Sequence, residues 1–197
     1  MRKLLSALVF ILIGAVGFKY YAQHYEPTPP STDNLLSDGG FEKGNETAFS
    51  EHWVSFGNAF RERVTPQSGN YSAKLYGEYT GSTNVSGVYQ DVDAEPGLKY
   101  EASIFIRSNS DDIIHGENRA WVQLEFVDAK GKVLRRYSPV QKFGVTNAQD
   151  VYVHLSTGFV IAPEKTAKAR FVHVFEQLDG KAHGSTYGDD AMLRLSP

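Results

Sequence analysis

Three side chains alternate along AWVQLEFVD, residues 120–128: Trp121, Gln123 and Glu125 share one parity, and Val122, Leu124 and Phe126 share the other. In an extended strand, residues two apart lie about 7 Å from each other on one face. An aromatic ring, an amide and a carboxylate at that spacing suit a sugar. The ring stacks on C–H surfaces and the polar groups take hydroxyls. Residues 98–108, LKYEASIFIRS, repeat the pattern, with Tyr100, Ala102, Ile104 and Ile106 on the apolar parity and Glu101, Ser103, Phe105 and Arg107 on the other. Consecutive strands often lie side by side, which predicts one outer face carrying Trp121, Gln123, Glu125, Arg107 and Phe105. The plainer alternative is a cross-strand Arg–Glu pair with two half-buried aromatics on an ordinary outer face. A second group stands at the two ends of the folded part. Glu42, in NLLSDGGFEKG (34–44), is a lone carboxylate after a glycine turn, and Asp189 and Asp190 are adjacent in STYGDDAMLRL (185–195). Asp189 shares parity with Ala191 and Leu193 and so points inward, whereas Asp190 points out.

Motifs for catalysis are absent from the sequence. The histidines His24, His52, His115, His154, His173 and His183 show neither H-E-x-x-H nor any paired metal spacing. There is no G-x-S-x-G elbow, P-loop or G-x-G-x-x-G. The chain has no cysteine, which excludes a disulfide framework, a zinc–thiolate site and a cysteine nucleophile. A net charge of −3 with no basic block speaks against nucleic acid as a partner. The sequence therefore reads as a protein that binds without catalysing.

These side chains need strands to position them. Of the 197 residues 41% are hydrophobic and 13% aromatic, and 18 are glycine, a mixture that favours strands and tight turns. Runs with period-two alternation recur between turn signals: 60–65, 71–79, 88–93, 98–108, 120–128, 133–140, 151–162, 169–176 and 185–195. Many short strands at near-regular spacing predict an all-β fold, a two-sheet antiparallel β-sandwich or jelly roll, over residues 34–197.

Ahead of it stands a hydrophobic leader helix. Met1-Arg2-Lys3 is a short basic region and LLSALVFILIGAVGF, residues 4–18, is apolar apart from Ser6. That run is shorter than the ~20 residues a membrane span needs and fits a signal peptide. Tyr20, Tyr21 and Tyr25 follow it, the aromatic belt of an uncleaved anchor. Residues 1–22 are expected to act as signal peptide or as N-terminal membrane anchor, placing the rest in the periplasm, outside the cell, or tethered to the membrane. Residues 23–33, QHYEPTPPSTD, read as a proline-rich spacer.

Taken in order, NLLSDGGFE, Trp53, SGNYSAKL, GVYQDVDAEPGLKYEASIFIRS, VQLEFVDAKGKVL, FVIAPEKTAKARFVHV and YGDDAMLRL resemble the carbohydrate-binding modules of families 4, 9 and 22, which are galactose-binding-domain-like jelly rolls. The resemblance spans roughly 34–197. It implies non-catalytic binding of a polysaccharide or cell-envelope glycan, and a core role for Trp53. It also implies a structural Ca2+ where the first and last strands meet, with Glu42 facing Asp189 or Asp190 and carbonyls of the SGNYS turn completing the six to eight oxygens calcium takes. The competing reading is an envelope protein-interaction or assembly domain on the same fold.

Overall fold

A computed structural model describes residues 33–196; the hydrophobic leader and nearly all of the proline-rich spacer lie outside them. The described residues form twelve strands: β1 (Val54–Phe56), β2 (Asn58–Glu62), β3 (Ser72–Tyr76), β4 (Asn84–Asp93), β5 (Lys99–Arg107), β6 (Arg119–Asp128), β7 (Val133–Tyr137), β8 (Phe143–Gly144), β9 (Val153–Ser156), β10 (Val160–Ile161), β11 (Thr166–Gln177) and β12 (Ser185–Leu195). They make two antiparallel sheets. The first runs β1-β4-β11-β6-β7, with β8 beside β6, and the second runs β10-β5-β12-β3-β2, with β9 beside β5.

The alternation read in the sequence decides what lies between the sheets. Val122, Leu124 and Phe126 of β6 and Phe171, His173 and Phe175 of β11 are fully buried from one side, and Ala102, Ile104 and Ile106 of β5 from the other. Aromatic pairs such as Tyr100–Phe126, with ring centroids 5.8 Å apart, stitch the layers together. At one end Trp53 meets both Phe41, at 4.9 Å, and Phe171, at 5.7 Å, so Trp53 is a core residue. Each fully buried side chain of this size stabilises the sandwich by roughly 1.5–3 kcal/mol.

Among the buried polar groups, one imidazole stands apart. His173 is fully buried and neither ring nitrogen has a hydrogen-bond partner. Burial alone holds its imidazole down to about 3, so it is neutral. The ring fits because it lies against Gly188 of β12, where a Cβ would come within 2.3 Å of it.

Candidate functional site

The outer face of the first sheet is built from three central strands. Register places Trp121, Gln123 and Glu125 of β6 opposite Val174, Val172 and Arg170 of β11. Those three in turn stand opposite Gly87, Tyr89 and Asp91 of β4. Strands lie about 4.8 Å apart, so β6 and β4 are ~10 Å apart across β11. Val172 and Val174, both nearly buried, thus form a low floor between Trp121 on one side and Tyr89 on the other, and Phe56 covers Gly87 beside them. Gly87 is required here, because the Phe56 ring of β1 lies over it and a Cβ would approach that ring to 2.4 Å.

Charge closes one end of this groove. Gln123 Nε2 donates to Glu125 Oε1 at 2.8 Å and Arg136 Nε donates to the same oxygen at 2.7 Å. Arg170 grips Asp91 through two bonds of 2.6 and 2.9 Å, and its Nη1 lies 3.8 Å from Glu125 Oε2. Its guanidinium carbon sits 4.4 Å from the centre of the Tyr89 ring. At the other end Lys142 Nζ stands 3.5 Å over the Trp121 ring, which leaves Trp121 only 7% exposed. Burial, followed by the nearby Arg119 charge, pushes the Lys142 ammonium below its ordinary value. A ligand entering here therefore meets a ring whose cation cover is a flexible side chain.

The structure parts the five residues expected on one face. Trp121, Gln123 and Glu125 stand together, but β5 lies in the opposite sheet, so Phe105 and Arg107 point away from them. Their outward parity holds; their sheet differs, because the chain crosses from one layer to the other between β5 and β6. Phe105 packs on His154 at 4.9 Å and lines a cleft of about 510 Å³ with Glu101, Ser103 and Arg194. Arg107 donates to Asn109 and Asp150, at 2.7 and 2.9 Å, and ties two loops together. Tyr89, Asp91 and Arg170 are the members that the sequence reading omitted. Their signal was alternation on both parities: in ARFVHVFE, Val172 and Val174 look as core-like as Phe171 and Phe175.

No family model matches the sequence, and no curated protein matches it. Solved structures do match the fold. The C-terminal family 22 carbohydrate-binding module of Clostridium thermocellum Xyn10B superposes with a TM-score of 0.57 at 18% identity, covering 85% of this chain and 98% of that one. The CBM22-1 xylan-binding domain of Paenibacillus barcinonensis Xyn10C gives 0.56 at 15% identity, covering 86% and 98%. TmCBM61, solved with β-1,4-galactotriose, gives 0.55 at 16% identity, covering 84% and 100%. The fold is that of the carbohydrate-binding β-sandwich modules. The same fold also occurs within larger chains: the bacteriophage CBA120 tailspike protein 4 domain matches with a TM-score of 0.58 at 14% identity, but the match covers only 21% of that chain.

On this module fold, atoms of Glu42, Asp189 and Asp190 each lie within 4.0 Å of where a Cβ on Gly40 would stand, where the first segment runs beside β12. What they contact is a set of hydrogen-bond donors. Asp189 is fully buried; its Oδ2 accepts the amides of Gln67 and Ser68 at 2.7 and 3.1 Å, and its Oδ1 that of Asp190 at 2.7 Å. Glu42 Oε1 accepts the amides of Asn70 and Tyr71 at 2.9 and 3.0 Å. Asp190 Oδ1 accepts the Ser68 hydroxyl at 2.6 Å. The neighbouring carbonyls are taken too. Buried Arg61 donates to Phe41 O at 2.7 Å and to Glu42 O at 2.8 Å, its guanidinium 3.6 Å from the centre of the Tyr71 ring. Among the described residues no group of three or more acidic or imidazole side chains is arranged to hold a metal ion. A calcium cage needs converging oxygens, whereas here amides and a guanidinium converge. The donor set does not fit the implied calcium; it makes an anion clasp in which two carboxylates hold the 66–71 turn by its N–H groups.

Proposed function

We propose that this chain is a non-catalytic carbohydrate-binding module that holds a polysaccharide strand along the β4–β11–β6 face. The observation that carries this reading is the arrangement on that face, with Val172 and Val174 low between the Trp121 and Tyr89 rings and hydrogen-bonding groups on Gln123, Glu125, Arg170 and Asp91 at one end. Its ~10 Å wall spacing, two strand intervals, admits the edge or face of a pyranose ring. Stacking supplies affinity and the polar cluster supplies hydroxyl recognition. Glu125 and Asp91 are each clamped by arginine, a setting suited to accepting hydroxyl hydrogen bonds. The glycan-binding neighbours of the same fold support the class of ligand. The apolar run at residues 4–18 supports export, as a cleaved or an anchored protein.

Affinity electrophoresis through gels containing xylan or β-1,4-galactan tests the reading. Retardation of the parent and its loss in Trp121→Ala are expected. Unretarded migration of the parent in every polysaccharide tried, with the protein shown to be folded, sinks it.

A further inference from the structure

The second sheet carries an aromatic cluster of its own, on the side of the molecule away from the Trp121 groove. Phe60 of β2, Lys74 and Tyr76 of β3, and Tyr79, Asp112 and His183 from three loops line a recess of about 380 Å³. Small-ligand clefts span roughly 300–1,000 Å³. Phe60 and Tyr76 meet edge-on at 5.9 Å, Tyr76 and Tyr79 lie nearly parallel at 6.2 Å, and Tyr79 stands 4.7 Å from His183. Four rings in a row at the surface serve no core, since Tyr79 is 37% exposed and His183 is also exposed.

Two further features point to a ligand. Tyr79 has a φ of 57°, a left-handed conformation that a bulky side chain adopts at a cost of order 1–3 kcal/mol and that clusters at ligand clamps. The surroundings hold it there from both ends: the Tyr79 amide donates to Gln177 Oε1 at 3.1 Å, and its hydroxyl donates to Gly184 O at 3.2 Å. Beside the rings, Asp112 is fixed by the Ser185 hydroxyl at 2.6 Å on Oδ2, and Lys74 Nζ is 3.6 Å from that same oxygen. Oδ1 of Asp112 accepts no hydrogen bond among the described residues. A carboxylate oxygen and an ammonium side by side next to aromatic faces can accept from one hydroxyl and donate to its neighbour.

We propose that this recess is a second sugar-ring subsite, so that the module holds two glycan segments on opposite sheets at once. The proposal rests on the glycan-binding reading above and extends it. Tyr76 and Tyr79 supply the stacking surface, Asp112 and Lys74 take a vicinal hydroxyl pair, and the strained Tyr79 backbone fixes the ring before the sugar arrives. Two sites facing apart cannot grip one short oligosaccharide together, but they can bridge two polymer strands, which a single groove cannot do.

The test uses the full chain with soluble xylan and soluble β-1,4-galactan, read by light scattering for cross-linking and by affinity electrophoresis for retention. The parent should cross-link the polymer that retains it. Tyr76→Ala should lose cross-linking at least tenfold while retention through the Trp121 groove stays within about twofold. Asp112→Asn, which keeps the side-chain shape, should weaken cross-linking in the same direction and stands in if Tyr76→Ala fails to fold. Undiminished cross-linking in both variants overturns the second subsite and leaves the groove standing, as does a parent that is retained but never cross-links. A parent retained by neither polymer removes the glycan-binding reading and this proposal with it.

Discussion

On the outer face of the β4–β11–β6 sheet, carboxylates meet arginine side chains; at the clasp beside β12, they meet backbone amides. Glu125 and Asp91 are held by Arg136 and Arg170, whose stems can swing and whose partners can be exchanged for a ligand's hydroxyls. Asp189 and Glu42 are held by Gln67, Ser68, Asn70 and Tyr71 through N–H groups that cannot move without refolding the turn. The same residue type is thus exchangeable in one place and fixed in the other. The difference separates recognition from stability: one region should tolerate substitution at the expense of binding, the other at the expense of the fold.

The largest effect should come from the clasp. Asp189→Ala leaves three amides without their side-chain acceptor in a buried site, a loss of about 3 kcal/mol or more. For a chain of this length that lowers Tm by roughly 6–12 °C. Glycan retention per folded molecule should be unchanged, and thermal melts paired with affinity gels check both halves. The groove should lose binding first. Trp121→Ala should cost about 2 kcal/mol in binding per folded molecule, near thirtyfold, and because the ring is buried it should lower Tm by several degrees as well. Phe105→Ala, on the opposite sheet, should leave retention in the groove unaltered. A Phe105→Ala variant that loses binding as Trp121→Ala does would dissolve the distinction between the two faces.

Acidity sharpens the contrast, since the interior and the clasp titrate in opposite senses. Burial, the leading cause, pushes the Asp189 carboxyl up to about 7 against the pull of its amide donors. Its folded pKa lies above the unfolded value, so its contribution is fully present below about pH 4 and is lost as pH rises towards 7. His173, held down to about 3, is the mirror case: its contribution is present above about pH 6.5 and is lost as pH falls towards 3. Between about pH 4 and 6.5 the two slopes oppose each other, which predicts a flat Tm profile for the parent. His173→Leu should leave only the carboxyl's slope, a Tm that falls steadily from pH 4 to 7. A variant profile as flat as the parent's would show that His173 is not neutral in the folded state. The smallest effect is expected from calcium. Millimolar Ca2+ or a chelator should move Tm by less than about 1 °C, and a rise of several degrees that Glu42→Gln removes would restore the calcium site.

The sandwich was legible in the sequence because period-two alternation is a local property. Val122, Leu124 and Phe126 turn inward for the reason the sequence shows, and so do Ala102, Ile104 and Ile106. Which sheet a strand joins is not local. Alternation reports that Phe105 and Trp121 both face out, but not that they face out on opposite sides. The clasp was half legible. Glu42 lies near the last strand, as the pairing of the chain ends suggested, yet the groups that hold it are amides of the 66–71 turn, which no side-chain pattern records. Arg61 was invisible for the same reason: its burial is set by the carbonyls of Phe41 and Glu42.

The way the first and last segments meet also decides how the domain answers to force. Leu35 N donates to Leu193 O, and Ala191 N to Gly39 O, both at 2.8 Å, so the two segments run antiparallel. Residues 33 and 196 therefore leave at the same end of that pairing. Tension applied between them would load its hydrogen bonds one after another, as in opening a zipper, rather than all together in shear. A domain tethered and pulled through those two points would yield at low load, starting at Asn34 and reaching the Asp189 carboxylate only after the Ala191 contact has parted.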